Sequence, residues 1–323
     1  SKYTVTYALT DDVKPTNYSV PTDNNEYIKD AKYSVDSTHN KGSKVVDGGY
    51  TYTFSGWKLN GAGDVLTGPQ NMGNGNVVLK GTWTKTVNKY TVTYTDGVDG
   101  KEVFEDVVHN NVEYGTAIPA YGTTDPERNG YTFNGWKWYS VSGSQVTEIA
   151  IGKPETMPAN NLKAVAQWAI NSYNYTVEYY IDGVKDDNLT AGPTPAEFES
   201  RISTYTDKCP DGYKLEKTEN LPLTISTSGN IIRIYYTKRT DLSYTVKYVD
   251  KNTGSEIHQS VVRNDKTFGD TITGESENVS IANYTYVDAN PDPLTIGTDA
   301  TKNVITLYYT KDAPTPATFD FND

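Results

Sequence analysis

One strand-like phrase recurs four times along this chain. "YTVTY" stands at Tyr3 and again at Tyr90, "YTVEYY" at Tyr175 and "YTVKY" at Tyr244. Each phrase alternates strictly: Tyr3, Val5 and Tyr7 point one way, Thr4 and Thr6 the other. Period-two alternation of β-branched and aromatic residues is the mark of a half-buried strand. The phrases that end each repeat also rhyme: "VVLKGTWTK", "LKAVAQWAI", "NIIRIYYTK" and "NVITLYYTK". Val77, Leu79, Gly81 and Trp83 share one face, as do Leu162, Ala164, Ala166 and Trp168, and Ile305, Leu307 and Tyr309. An internal repeat resets the domain count. The spacing predicts domains at 1–86, 87–171, 172–240 and 241–313, followed by a Pro-containing linker tail at 314–323. The opening and closing strands are the most apolar and are expected to pair at the centre of each unit.

Between these strands the sequence is polar and punctuated. "DGVDGKE", "DGVKDD" and "DKNTGSE" follow three of the opening strands and read as hairpin turns. "KEVFEDVVH" and "SEIHQSVVR" are the expected second strands. No segment carries a sustained 3.6-residue apolar stripe. At most one short helix per unit fits, for example near "EYGTAIPAY" or "KTFGDTIT". Hydrophobic residues make up 36% of the chain, against a usual ~45–50%, which suits several small domains with much surface. The 12% aromatic content argues against disorder.

"YTFSGW" at Tyr52 returns as "YTFNGW" at Tyr131. The Gly suggests a bulge or a close backbone approach beside the indole. A core role is expected for Trp57, Trp83, Trp136 and Trp168. The competing reading is a sugar-stacking platform, for which Trp138 and Tyr139 are the candidate residues.

The net charge is −12, spread along the chain. Such a surface does not suit nucleic acid or an anionic membrane, and no apolar run approaches the ~18–20 residues of a span. Cys209 is the single cysteine, so no intramolecular disulfide is possible, and His39, His109 and His258 lie far apart. No cofactor fingerprint or catalytic motif appears, and no enzymatic activity is expected. The turn carboxylates Asp96, Asp99 and Glu102, and Asp288 with Asp292, are the only candidates for a calcium site, without EF-hand spacing. A Lys–Asn isopeptide bond would need both residues and an acid in one core. Sequence alone cannot place them.

These phrases resemble known families. The second unit, with "YGTAIPA", "RNGYTFNGW", "MPANN" and "AVAQW", resembles a Listeria–Bacteroides repeat of the internalin B type, departing from it in "KWYSVSGSQVTEIAIG". The first unit, with "PTDNNEY" and "VVLKGTWT", is similar to the SHIRT repeats of streptococcal surface proteins. The fourth, with "YTVKYVDKNTGSEI" and "NVITLYYTK", resembles a MucBP (mucin-binding) repeat, and the third does so more distantly. The resemblance implies an α+β, strand-dominated fold: tandem small β-grasp-like domains in an elongated rod. It implies a non-catalytic, monomeric stalk of a Gram-positive surface adhesin, extracellular and anchored to the cell wall through a region outside this stretch. Mucin glycans or host extracellular proteins are the partners it suggests. The start at Ser1 looks like that of an excised fragment.

Overall fold

The structure is a computed structural model and describes residues 1–319. The chain divides into two compact units, Ser1–Ala169 and Ile170–Asp323. Each holds two central mixed sheets made to one plan. The opening strand runs parallel to the closing strand: Tyr3–Leu9 with Val77–Gly81, Lys89–Thr95 with Asn161–Ile170, Ser172–Ile181 with Ile231–Lys238, and Leu242–Asp250 with Val304–Lys311. A further strand flanks each side of that pair, antiparallel wherever its register is given. The expected central pairing is therefore present, and it is parallel.

The alternating residues fill the cores. Val5, Leu79 and Trp83 are buried in the first sheet's core, and Val92, Tyr94, Leu162 and Ala164 in the second. Val177, Tyr179, Ile232 and Ile234 fill the third, and Val246, Tyr248, Ile305 and Leu307 the fourth.

Parallel neighbours need a crossover connection, usually a helix. Here each crossover is instead pinned by a clip of two reciprocal backbone hydrogen bonds around one buried apolar residue. The Met72 amide donates to Ala31 O and its carbonyl accepts from Asp30 N, both at 2.8 Å. Met157 does the same with Thr116 and Gly115, Ile225 with Ser200 and Glu199, and Ile296 with Asp270 and Gly269. All four plugs are at most 1% exposed. Two-residue and three-residue strand pairs extend three of these clips, for example Thr271–Ile272 with Leu294–Thr295.

Neither segment expected to hold a short helix forms one. "EYGTAIPAY" supplies the clip residues Gly115 and Thr116 without a strand, and "KTFGDTIT" the clip strand Thr271–Ile272. Among the described residues the one helix is Gly274–Glu277, capped by Thr273 Oγ1 on Ser276 N at 3.2 Å. The second strand of the second sheet begins at Val107, later than "KEVFEDVVH" suggests. The turn at Asp182–Gly183 is a true two-residue hairpin, with Tyr180 opposite Lys185 and both turn residues at positive φ. Residues 312–319 form no regular structure and are exposed, while the rest of the expected linker tail, 320–323, lies outside the described residues.

An asparagine marks the start of every closing strand: Asn76, Asn230 and Asn303 just before it, and Asn161 as its first residue. In the first unit the side chains of Asn76 and Asn161 accept from Thr4 N and Thr91 N at 3.0 and 2.9 Å. In the second unit the backbone carbonyls of Asn230 and Asn303 accept from Thr176 N and Thr245 N. Their buried amides are then free to tie the preceding loop. Asn303 Nδ2 donates to Gly297 O and Ser243 O at 2.7 and 3.0 Å, and its Oδ1 accepts from Gly297 N at 2.9 Å.

Candidate functional site: the joints inside each unit

The connector between the two sheets of the first unit is a single stitched residue. Asn88 N donates to Gly49 O at 2.8 Å, and Asn88 O accepts from Tyr114 N at 2.9 Å. Its Oδ1 accepts from Thr51 Oγ1 at 2.6 Å. The Tyr114 ring lies directly over Gly49, where a methyl group would come within 1.9 Å of Tyr114 Cγ. The ring also meets Tyr50 edge-on, with centroids 5.4 Å apart. Lys85 Nζ caps the Tyr50 ring at 3.8 Å. Glycine is required at position 49 because any larger residue would fill the aromatic seat.

The second unit repeats this joint with different residues. Arg239 N donates to Gly212 O at 2.9 Å, and Arg239 O accepts from Phe268 N at 2.9 Å. A methyl group at Gly212 would meet the Phe268 ring at 2.4 Å, and Phe268 meets Tyr213 edge-on at 5.9 Å. The Arg239 guanidinium forks onto Asp241 with bonds of 2.9 and 3.0 Å. That carboxylate raises the arginine pKa and is itself held below the usual range by the arginine. Thr298 Oγ1 adds a contact to Asp211 at 3.4 Å. Two backbone hydrogen bonds and an aromatic pair together contribute on the order of 2–4 kcal/mol. That is enough to make the open joint a minor population.

Neither seat was expected from the order of residues. The signal that could have found them is a Gly-Tyr pair ("GGY" at Gly48, "DGY" at Asp211) in one repeat with an aromatic-Gly pair (Tyr114–Gly115, Phe268–Gly269) in the next.

Of the expected core indoles, Trp57 and Trp83 are 2% and 1% exposed, but Trp136 and Trp168 are only half-buried. Trp138 takes the core position instead, at 4%. The reason is local. In the first sheet the strand stops at Phe54, and Gly56, at φ +82°, turns Trp57 inward. In the second sheet Tyr131–Ser142 runs through Gly135 as one strand, so the register of the following aromatics differs. Trp138 and Tyr139 are adjacent on this strand, so they face opposite sides of the sheet and form no common platform. Trp138 bounds a small hollow of about 250 Å³ with Tyr121, Trp136 and Lys153. Tyr139 is half-buried, with Lys137 Nζ 6.0 Å from its ring.

Three of the five turn carboxylates are engaged by protein groups, and Asp99 and Glu102 are exposed. Asp96 is buried and accepts from Val98 N and Val103 N at 3.0 and 2.7 Å. Asp288 pairs with Lys251 at 2.6 Å, and Asp292 accepts from Gly274 N at 3.0 Å. Among the described residues no three His, Cys, Asp or Glu side chains gather into a metal cluster. Burial pushes the Cys209 thiol pKa up, with Asp207 adding to it, which disfavours the thiolate. The buried polar side chains include Asn230 and Asn303 but no lysine among the described residues, and both amides already hold backbone groups.

Residues 90–167 match the family model of the Listeria–Bacteroides repeat domain. Over these residues the second sheet is similar to a Listeria–Bacteroides repeat. The match begins at Tyr90 in the opening strand and ends at Gln167 in the closing strand. Among solved structures the chain is similar to one described as "Streptococcal High Identity Repeats in Tandem (SHIRT) domains 3-4 from cell surface protein". The identity is 13%, covering 53% of this chain and 99% of that one, with a TM-score of 0.23. A superposition that loose does not establish a common arrangement.

Proposed function

We propose that this chain is a non-catalytic spacer of a bacterial cell-surface protein. Four small β-grasp-like domains, at 1–86, 87–171, 172–240 and 241–313, would follow one another in an elongated monomer. The observation that carries this reading is the joint, made twice with the same hydrogen-bond pattern and the same ring-on-glycine seat. A connector of one residue in the first unit and three in the second, stitched to both neighbours, fixes them, whereas a binding module on a tether would use flexible Gly/Ser sequence. The likeness of residues 90–167 to the Listeria–Bacteroides repeat supports the location. The finer reading is an extracellular adhesin stalk of a Gram-positive cell, wall-anchored by a region outside this sequence, with MucBP-like third and fourth domains.

Small-angle scattering tests it. Four domains of ~80 residues, each about 30 Å across, give a maximum dimension on the order of 120 Å. A compact profile near ~70 Å, the size of one fused globule, would overturn the spacer reading.

A further inference from the structure

The outer face of the third sheet holds two phenols in contact. Tyr180, on the opening strand, stands directly opposite Tyr235 on the closing strand. Their rings are stacked, with centroids 4.6 Å apart and planes 19° from parallel. Both residues are half-buried, so both keep surface open to solvent. The neighbouring pair on the core side, Tyr179 with Tyr236, is stacked too. Its centroids are 6.2 Å apart, and its residues are 0% and 1% exposed. Of these two pairs, the outer one is both closer and reachable.

The fold does not require two phenols at this place. The same register position holds Ala8 opposite Lys80 in the first sheet, Thr95 opposite Val165 in the second and Val249 opposite Tyr308 in the fourth. Each phenol of the third sheet also has its own carboxylate. Tyr180 Oη donates to Glu178 Oε2 at 2.9 Å, and Tyr235 Oη to Glu219 Oε2 at 3.0 Å. A lysine fixes each acid in turn: Lys185 lies 3.4 Å from Glu178, and Lys217 lies 3.1 Å from Glu219. The hydrogen bonds from Lys217 and Tyr235 hold the Glu219 carboxyl below its ordinary range. It is therefore ionised and acceptor-only at neutral pH.

This arrangement is what the oxidative coupling of phenols needs. A phenol gives up an electron far more readily when its proton can leave at the same time to a hydrogen-bonded base, because no ring cation forms. Lys217 Nζ, 4.6 Å from the Tyr235 ring centre, makes a ring cation costlier still, so the proton has to go. The phenoxyl radical left behind carries spin on the ring carbons beside the oxygen. Two such radicals face to face join at those carbons. The ring centres of the joined product are hardly closer than those of the stacked pair. The rings swing about their own side-chain bonds, and the strands need not shift.

We propose that Tyr180 and Tyr235 are a site of oxidative cross-linking, joined into dityrosine by a haem peroxidase acting with hydrogen peroxide, with Glu178 and Glu219 taking the phenolic protons. Each phenol loses one electron to the oxidised haem and one proton to its carboxylate, which passes it to water. The two radicals form one bond between ring carbons. The hydrogen on each of those carbons then moves to the oxygen, and both phenols are restored. Hydrogen peroxide takes up the two electrons and two protons and leaves as two molecules of water. The link ties opening strand to closing strand in a chain whose single cysteine, Cys209, cannot form an internal disulfide. Like a disulfide, it removes freedom from the unfolded chain. The site rests on these two strands alone and not on the spacer reading.

The test is oxidation of the full chain with a haem peroxidase and hydrogen peroxide, at high dilution to disfavour coupling between molecules. The expected product is a monomer lighter by two hydrogens, with blue dityrosine fluorescence. In its proteolytic digest the peptides carrying Tyr180 and Tyr235 should be joined. Tyr180→Phe and Tyr235→Phe should each abolish that joined peptide. Both substitutions keep the stacked rings and remove only a hydroxyl, so circular dichroism should match that of the parent. Glu219→Gln should slow the coupling several-fold while leaving the rings in place. The oxidised parent should unfold at a higher urea concentration than the untreated parent, and treated Tyr235→Phe should not. The proposal is overturned if the parent yields no link between Tyr180 and Tyr235, or if its tyrosines couple elsewhere in preference. It is equally overturned if Glu219→Gln couples at the parent's rate, or if the link leaves the urea midpoint where it was.

Discussion

Trp168 Nε1 donates to the backbone carbonyl of Asp96 at 2.7 Å, joining two residues 72 positions apart. The closing strand thereby holds the loop that leaves the opening strand. The Asp96 carboxylate completes the hold by accepting the Val98 and Val103 amides. Asp96 is thus structural, although its "DG" context reads as a solvated turn. Asp96→Ala is expected to destabilise this domain by about 2–4 kcal/mol, because two amides lose their partner. Exposed Asp99→Ala should stay within about 0.5 kcal/mol. Urea unfolding of the two variants checks the contrast, and equal midpoints would refute it.

Gly49→Ala should open the first joint without melting either sheet. The new methyl would overlap the Tyr114 ring, and only the ring has room to leave. In the variant, NMR relaxation should show the two sheets of the unit tumbling with different correlation times. Trypsin should gain access to Lys85 or Lys89 beside the connector. A variant that tumbles as the parent does would show that the seat is not what fixes the joint.

Asn303→Ala should lower the stability of the fourth sheet by about 2–4 kcal/mol. Two backbone carbonyls and one amide lose their partner in a buried place. Asn76→Ala removes one exposed hydrogen bond and should change stability by no more than ~1 kcal/mol. Hydrogen exchange at Thr245 and Gly297 reads the first effect, and at Thr4 the second.

Burial, reinforced by the Glu277 carboxylate that accepts its hydroxyl, pushes the Tyr244 pKa from 10.0 to about 12. Arg263, paired to Glu277 at 3.2 Å, pulls the other way. A folded pKa above the unfolded one means the stabilisation is full below pH 10 and disappears as pH rises through 12. Melting temperature should therefore fall across that window. Tyr244→Phe should fall less steeply there than the parent, because a phenyl ring has no proton to lose.

Acrylamide quenching should resolve two classes of indole. Trp57, Trp83 and Trp138 are at most 4% exposed and should resist it, while the half-buried Trp136 and Trp168 should not. Trp136→Phe with Trp168→Phe should remove most of the quenchable emission. Strong quenching left in that double variant would place a buried indole at the surface.

The strands that open and close each repeat were legible because their alternation is strict and both faces are used. Val5, Val92, Val177 and Val246 all fall where period two puts them, on the core face. The crossover clips were not legible. Met72, Met157, Ile225 and Ile296 are single apolar residues in polar loops, and no periodicity marks a lone plug. The register of Trp136 and Trp138 was lost at Gly135, whose positive φ changes which way the chain faces within one strand. The joints were hidden for another reason. Gly49 and Tyr114 lie in different repeats, so comparing repeats to each other shows neither as a partner of the other.

The parallel pairing of first and last strands has a mechanical consequence. In the third sheet Thr176 stands beside Ile231 and Ile181 beside Tyr236, so the chain enters at one end of the pair and leaves at the other. Tension along the chain therefore pulls the two central strands past each other along their length. The hydrogen bonds between them are loaded in shear, all at once, and cannot be unzipped one by one. The same holds for the other three sheets. Each sheet should thus yield abruptly at a high force, and the joints inside each unit should open first.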